Sequence, residues 1–187
     1  MPRPLALLPI LALAACGYVV PSTAARLATL DPLTADPAAL SVAVVLPAGL
    51  RAQPGTALLT IESVRRDTGE TRTLPMVLME TGLANVPVPA GATGTAYRLS
   101  TADVVRLRAL QAEVTGWKAA GVDTGGSLGL GIGGCGVGEG PAPDAVGSAY
   151  IRTQTGAAFL PVIREAGLRD LLGPALFDAI GPCAGPG

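Results

Sequence analysis

The sequence contains no histidine. Histidine is the side chain that most often serves as a general base, as a metal ligand and as a pH switch near neutrality. Its absence excludes nucleophilic catalysis of the Ser-His-Asp or Cys-His kind. A metal site would need Asp, Glu and Cys alone, and the sequence has neither a Cys-x-x-Cys motif nor a close acidic cluster. We therefore predict no metal site.

Aromatic residues and lysine are also scarce. Aromatic residues make up 3% of the chain, which is little for a carbohydrate-binding platform. Lys118 is the only lysine, and the 13 basic residues are balanced by 14 acidic ones. Because the net charge is close to zero, nothing in the composition attracts nucleic acid or an anionic membrane surface. We predict no nucleic-acid partner.

Carboxylates are the remaining source of catalytic chemistry. Two of them can act together as in glycosidases, but no spacing in this sequence singles out a pair. We predict no catalytic residue and no cofactor, and we expect a protein that is not an enzyme. The acidic residues that could meet in space are Glu62, Glu70, Glu80, Asp103 and Glu139.

The first sixteen residues have the pattern of an export signal. A basic start containing Arg3 precedes an apolar run over residues 5–15, which is interrupted by Pro9. The run is too short for a membrane-spanning helix, which needs about 20 apolar residues. It ends in Leu13-Ala14-Ala15-Cys16, which resembles the lipobox of bacterial lipoproteins. The alternative is an ordinary secretory signal in which the cysteine has no role.

The lipobox resemblance implies a lipid anchor at Cys16. In that family the cysteine sulfur takes a diacylglyceryl group, and the cysteine becomes the first residue after cleavage. Two or three acyl chains anchor a protein stably, whereas one does not. A residue other than Asp after the lipid-bearing cysteine usually directs the protein to the outer membrane, and here that residue is Gly17. The resemblance therefore implies a chain anchored to the outer membrane and facing the periplasm.

The sequence divides into three parts. Residues 1–15 form the predicted signal peptide, residues 16–39 a tether rich in turn formers, and residues 40–187 a single β-rich domain. The roughly 171 residues after the predicted cleavage site suit one domain. As an alternative to a plain spacer, residues 18–20 of the tether would dock on the domain or on a partner.

Strand signals dominate the domain. The clearest is a hairpin in which residues 57–64 and 73–80 flank a charged connection. Pro75 cannot donate a hydrogen bond to a neighbouring strand, so it should lie at a sheet edge or a bulge. Further strands are predicted at residues 40–46, 95–99, 149–153 and 158–163.

One segment has a strong helical pattern. Ser100 and Asp103 fit a capping box, and apolar residues then recur every three or four positions until a predicted end near Gly116. We expect this stripe to pack on a sheet, with a partner groove or a membrane surface as the alternatives. Short helical turns are predicted at residues 167–172 and 174–180. The apolar stripe consists of Val104, Leu107, Leu110, Val114 and Trp117.

Residues 127–137 alternate glycine with larger apolar residues. Such a strand has side chains on one face and none on the other, so a helix, another backbone or a ligand can approach the bare face closely. We expect the helix through Leu107 to do so. Residues 131–136 also match G-x-G-x-x-G, but the Gly-Pro-rich residues that follow cannot open the helix that a dinucleotide site needs.

Two cysteines remain if Cys16 is lipidated. An even pair in an oxidising compartment predicts a disulfide between Cys135 and Cys183. It would close a loop of about 49 residues and hold the Gly-Pro-rich tail against the glycine strand. The alternative is a reactive thiol at Cys135, although no basic side chain close in sequence would lower its pKa.

Together these patterns predict a mainly β protein. Six or seven strands with one helix, and no β-helix-β alternation, favour an antiparallel, β-sandwich-like domain with one amphipathic helix packed on the sheet. We expect a lipid-anchored, non-catalytic accessory or scaffold module that binds an envelope protein. The alternative is a carrier or sensor of a small apolar ligand. A closed cavity would favour the carrier, and a filled core with an exposed apolar patch would favour the scaffold.

Overall fold

The computed structural model describes residues 35–83 and 85–184. Within these ranges the chain forms ten β-strands, one long helix and two short helices. The elements are β1 (Ser41–Leu46), β2 (Leu50–Ala52), β3 (Leu58–Arg65), β4 (Thr71–Val77), β5 (Met79–Thr81), β6 (Thr93–Arg98), α1 (Thr101–Ala119), β7 (Thr124–Gly131), β8 (Gly134–Gly136), β9 (Val146–Arg152), β10 (Leu160–Gly167), α2 (Leu168–Leu172) and α3 (Pro174–Asp178).

The strands pair antiparallel in three sheets. The largest has the order β10-β9-β1-β6-β5, the second has the order β4-β3-β7, and β2 pairs with β8. Strand β1 is central and almost wholly buried, because Val42 and Val44 point into the main core and Ala43 into a smaller cluster on the opposite face. The predicted fold class, mainly β and sandwich-like with one principal helix, is confirmed.

The main core lies between the two larger sheets and α1. It contains Val42 and Tyr97 from the five-stranded sheet, Leu59 and Met76 from the three-stranded sheet, and the apolar stripe of α1. Leu59, Met76 and Tyr97 are the largest fully buried side chains. Burial of this apolar surface is the dominant favourable term in folding.

The predicted hairpin is present as β3 and β4. Their register runs from Leu58 opposite Val77 to Val64 opposite Thr71. Pro75 lies on β4, the edge strand of its sheet, where no neighbouring strand requires its missing N–H.

The return strand is shorter than predicted. It ends at Val77, and the chain then crosses to the other sheet, where Met79–Thr81 pairs with β6. Between the two strands, the buried Leu78 donates its backbone N–H to the Ala57 carbonyl oxygen. Residues 73–80 therefore serve two sheets, and the prediction of one continuous strand was wrong.

Helix α1 begins as the capping box predicts. The Ser100 hydroxyl oxygen accepts a hydrogen bond from the Asp103 backbone N–H at 3.0 Å and donates one to the Asp103 carboxylate at 2.8 Å. The apolar stripe, from Val104 to Trp117, is buried and contacts the core. The helix continues to Ala119, three residues beyond the predicted end. Gly116 therefore lies within the last regular turn and does not end the helix.

The glycine segment is divided between two sheets. Residues 124–131 pair with β3, and residues 134–136 pair with β2. Leu130 faces the core together with Leu59, whereas a Cβ placed on Gly129 or Gly131 would meet no atom within 4 Å. The expectation that the helix packs on the bare face was therefore wrong, because α1 lies on the leucine side.

The C-terminal region is held by a small core and a disulfide. Leu168 and Phe177, from α2 and α3, pack with Leu50 of β2. Cys135 and Cys183 form a disulfide with a Cα–Cα distance of 4.8 Å. The Gly136 N–H donates to the Gly181 carbonyl oxygen and the Cys183 N–H donates to the Gly136 carbonyl oxygen. The tail thus lies beside β8.

Residues 35–39, which the sequence assigns to the tether, contact the domain. Pro37–Ala39 forms a short 3-10 turn, with Pro37 and Ala39 buried, and this turn packs on α1. Asp36 caps the turn by accepting a hydrogen bond from the Ala38 N–H at 3.1 Å. The packed part of the molecule therefore begins before Leu40.

Candidate binding surfaces

One part of the outer surface of the three-stranded sheet carries no charged side chain. Cross-strand partners share a face of a sheet, so the register places six uncharged residues of three strands together. We call this surface the glycine face. It consists of Leu58 and Thr60 of β3, Pro75 and Val77 of β4, and Gly129 and Gly131 of β7.

Exposure of the glycine face is high. Val77 is 54% exposed and Leu58 is 38% exposed, although both are large and apolar. At Gly129 and Gly131 the backbone itself forms the surface, since no side chain from the described ranges comes within 4 Å of a Cβ placed there. Another protein backbone can approach such a surface more closely than an ordinary sheet face.

A second surface is an apolar groove between α1 and the edges of the two larger sheets. The groove has a volume of about 590 Å³. It is open to solvent, and Leu128, one of its walls, is 53% exposed. Its apolar lining comes from Leu107, Leu110 and Val114 of α1, Ile61 of β3, Leu128 of β7, Ile151 of β9 and Val162 of β10.

The rim of the groove is formed by the first described residues. Ala35, Asp36 and Pro37 line it, and two side chains of α1 hold them in place. Gln111 Nε2 donates a hydrogen bond to the Ala35 carbonyl oxygen at 2.9 Å, and Arg108 donates to the Asp36 carboxylate at 2.8 Å. These contacts hold the first described residues at the rim of the groove.

The environment of Asp36 favours its charged form. The hydrogen bond from Arg108, followed by that from the Ala38 N–H, lowers the pKa of Asp36 below its ordinary value. Stabilisation of the carboxylate by donors is the expected cause of such a shift.

A charged cluster joins the hairpin to the end of α1. Arg72 contacts Glu70 at 2.7 Å and Glu113 at 2.8 Å, and Arg65 contacts Asp67 at 3.0 Å. The guanidinium groups of Arg65 and Arg72 lie 5.6 and 5.9 Å from the centre of the Trp117 ring. This geometry is typical of cation–π contacts, which here connect the hairpin to α1. We therefore assign the cluster a structural role.

The predicted site residues are distributed as follows. Cys16 lies outside the described residues, so its lipidation stays a prediction. Cys135 and Cys183 are joined in the disulfide. Among the acidic residues, Asp103 is engaged by the cap and by Arg106, and Glu70 by Arg72.

The bare glycine face was predicted from the sequence, but with the long helix packed on it, and the groove was not predicted. The alternation of leucine and glycine was visible, but it did not indicate which face would be covered. The groove depends on how α1 and residues 35–40 lie across two sheets, and no local pattern encodes that arrangement.

Among residues 35–83 and 85–184, no helix is long and apolar enough to cross a membrane, and no group of three or more Cys, Asp or Glu side chains is placed to hold a metal ion. No protein-family model, curated protein or solved structure matches the chain.

Proposed function

We propose that this chain is a lipid-anchored, non-catalytic accessory lipoprotein of the bacterial envelope, which docks an envelope protein on its glycine face. The observation that carries the proposal is the exposure of Leu58 and Val77 beside two glycines whose outer side is empty. Exposed apolar patches on otherwise well-packed domains mark interaction sites.

The anchoring part of the proposal rests on the lipobox. A triacylated Cys16 would hold the domain at the periplasmic side of the outer membrane, and Gly17 is compatible with that destination. Confinement near a membrane surface raises the local concentration of an envelope partner, so a modest docking surface is sufficient.

The chemistry of the glycine face suggests what the partner presents. The six residues of the glycine face are uncharged, and its glycines allow close backbone approach. Glu62, the next β3 residue on this side of the sheet, marks its charged boundary. A partner surface that is itself uncharged and partly apolar would fit, because burial of an unpaired charge against this face would be costly.

Affinity capture of the tagged lipoprotein from detergent-solubilised envelopes tests the docking surface. Gly129→Glu places a charge on the glycine face without steric conflict, since a Cβ there meets nothing within 4 Å. Val105→Glu is the matched control, because Val105 is 61% exposed on α1, outside the glycine face. We expect the wild type and Val105→Glu to recover the same partner and Gly129→Glu to lose it, with unchanged thermal unfolding in all three. Equal recovery from all three would contradict the proposal.

The apolar groove suggests a second candidate, a carrier or sensor of a small apolar ligand. The groove is open and not the closed cavity expected for a carrier, so this function ranks second. Its volume of about 590 Å³ lies in the range of small-molecule sites, and its walls are mostly aliphatic. Native mass spectrometry of protein isolated from envelopes without added lipid tests this candidate. A bound apolar molecule that Leu128→Arg removes, at the exposed wall of the groove, would support it, and an empty protein would oppose it.

A further inference from the structure

The apolar groove lies where the described chain begins. Ala35 and Asp36 line its rim and are held to α1 by Gln111 and Arg108. The chain preceding Ala35 therefore starts from a fixed point at the mouth of the groove, whichever direction it takes.

The adjoining sequence has apolar residues within reach of the groove. Leu27, Leu30 and Leu33 recur every third residue immediately before the rim. A chain spans at most about 3.6 Å per residue, so the Cα atom of Leu33 cannot be more than about 7 Å from that of Ala35, and that of Leu30 not more than about 18 Å.

We propose that Leu30 and Leu33 dock in the apolar groove of their own chain. The groove walls include Leu128, which is 53% exposed, and the half-buried Val162, so they present aliphatic surface to solvent. Covering such surface with leucine side chains is favourable. A short connection gives the attached side chains an effective concentration in the millimolar range.

Self-occupancy has a consequence for binding. An external apolar molecule would enter the groove only by displacing the chain's own leucines, so the tether acts as an intramolecular competitor. The proposal goes beyond the docking function, because it concerns the groove and does not involve the glycine face.

Disulfide trapping tests the docking directly. The chain used is residues 17–187, exported behind an ordinary signal peptide so that Cys16 is absent. Leu30→Cys is combined with Leu128→Cys, since Leu128 is an exposed wall of the groove. Thr29→Cys and Asp31→Cys, each combined with Leu128→Cys, are matched controls with nearly the same reach. Peptide mapping under non-reducing conditions identifies the linked pairs and shows whether the native Cys135–Cys183 bridge is intact.

We expect the Leu30→Cys pair to give a several-fold higher intramolecular yield than either neighbour, because only the docked side chain points at the wall. Equal yields at the three positions would overturn the proposal, since they would report proximity without docking. Links formed only between two chains would also overturn it, in favour of a second copy as the occupant.

Hydrogen exchange supplies a second readout that needs no added thiol. In the double variant Leu30→Ser, Leu33→Ser, amides of β7 along the groove should exchange several-fold faster than in the wild type. Thr29→Ser, the control, should leave exchange unchanged. Unchanged exchange in the double variant would overturn the proposal.

Discussion

At the scale of single residues, Gly49 shows how backbone conformation restricts the sequence. Its φ is +81°, and a Cβ at this position would overlap the carbonyl oxygen of Gly140. Only glycine adopts this conformation without strain. The turn between β1 and β2 therefore depends on this residue.

We expect Gly49→Ala to destabilise the protein by more than the roughly 1–3 kcal/mol of a strained backbone alone, because the backbone of Gly140 must also move. Gly129→Ala is the matched control, since its φ is not positive and a Cβ there meets nothing; it should change stability by less than about 0.5 kcal/mol. Urea denaturation measures both. Equal losses of stability in the two variants would contradict the prediction, because they would show that the turn accommodates a Cβ at residue 49 without strain.

The disulfide is a second determinant at the residue scale. Cys135 and Cys183 are 48 positions apart, and closing a loop of that size restricts the unfolded chain by about 4 kcal/mol in the chain-entropy model. We expect Cys183→Ser to lower the free energy of unfolding by several kcal/mol, measured without reductant. A wild-type stability that reductant leaves unchanged would contradict the prediction, because it would show that the two thiols are free and the disulfide does not form.

At the scale of elements, α1 connects the core with the groove. Leu107 is 5% exposed and belongs to both, whereas Val105, two residues earlier, is 61% exposed. The same helix thus has a packed face and a solvated one, as its apolar period of three and four residues predicts.

We expect Leu107→Ala to cost about 2–5 kcal/mol, which is the usual range for truncating a buried leucine. Val105→Ala should cost less than about 0.5 kcal/mol. Thermal and urea unfolding measure both variants. An unchanged melting temperature for Leu107→Ala, combined with loss of a partner, would reassign the stripe to a docking surface.

The contact between Asp36 and α1 should depend on pH. The pKa of Asp36 is lower in the folded chain than the value of about 3.9 for an unperturbed carboxyl. The contact therefore stabilises the fold above about pH 3.9 and is lost as the pH falls through the folded pKa.

We expect Asp36→Asn to be less stable than the wild type at about pH 6, with the difference shrinking below about pH 3.9. High salt should also reduce the difference, because both side chains are exposed. Urea denaturation across this pH range provides the measurement. A difference independent of pH would show that the charge of Asp36 is not its cause.

At the scale of the whole molecule, anchoring and folding are expected to be separate. The packed domain begins at residues 35–39 and its core contains side chains from Val42 onward. The predicted lipid-bearing Cys16 lies nineteen residues before Ala35 in the sequence.

We expect Cys16→Ser to abolish incorporation of labelled fatty acid and to leave an uncleaved precursor. The thermal unfolding of the domain should not change. Metabolic labelling and electrophoretic mobility measure the first two effects. Normal processing of the variant would rule out lipidation and favour an ordinary secretory signal.

Much of the fold was predictable from local signals. The hairpin of β3 and β4, the position of Pro75 at an edge, and the helix that begins after Ser100 were each indicated by residues close together in sequence. Alternation and capping depend on residues close together in sequence, so both can be recognised from the sequence of one chain.

Other features were decided only by the tertiary structure. The sequence could not show that residues 73–80 divide at Leu78, because the same apolar run fits one sheet or two. The three-residue strand β2 was missed because it is too short for a period to appear, and its partner, β8, is far away in sequence.

The candidate surfaces illustrate the same division. The sequence by itself determined that one face of the glycine strand carries side chains and the other does not, because strand geometry alternates them. Which face is buried depended on where α1 packs, and that is the sum of contacts among Leu59, Met76, Leu110 and Leu130 from four separate elements. Such contacts bring together residues distant in the chain, so only the folded structure could decide that Leu130 packs against the core while Gly129 and Gly131 face outward.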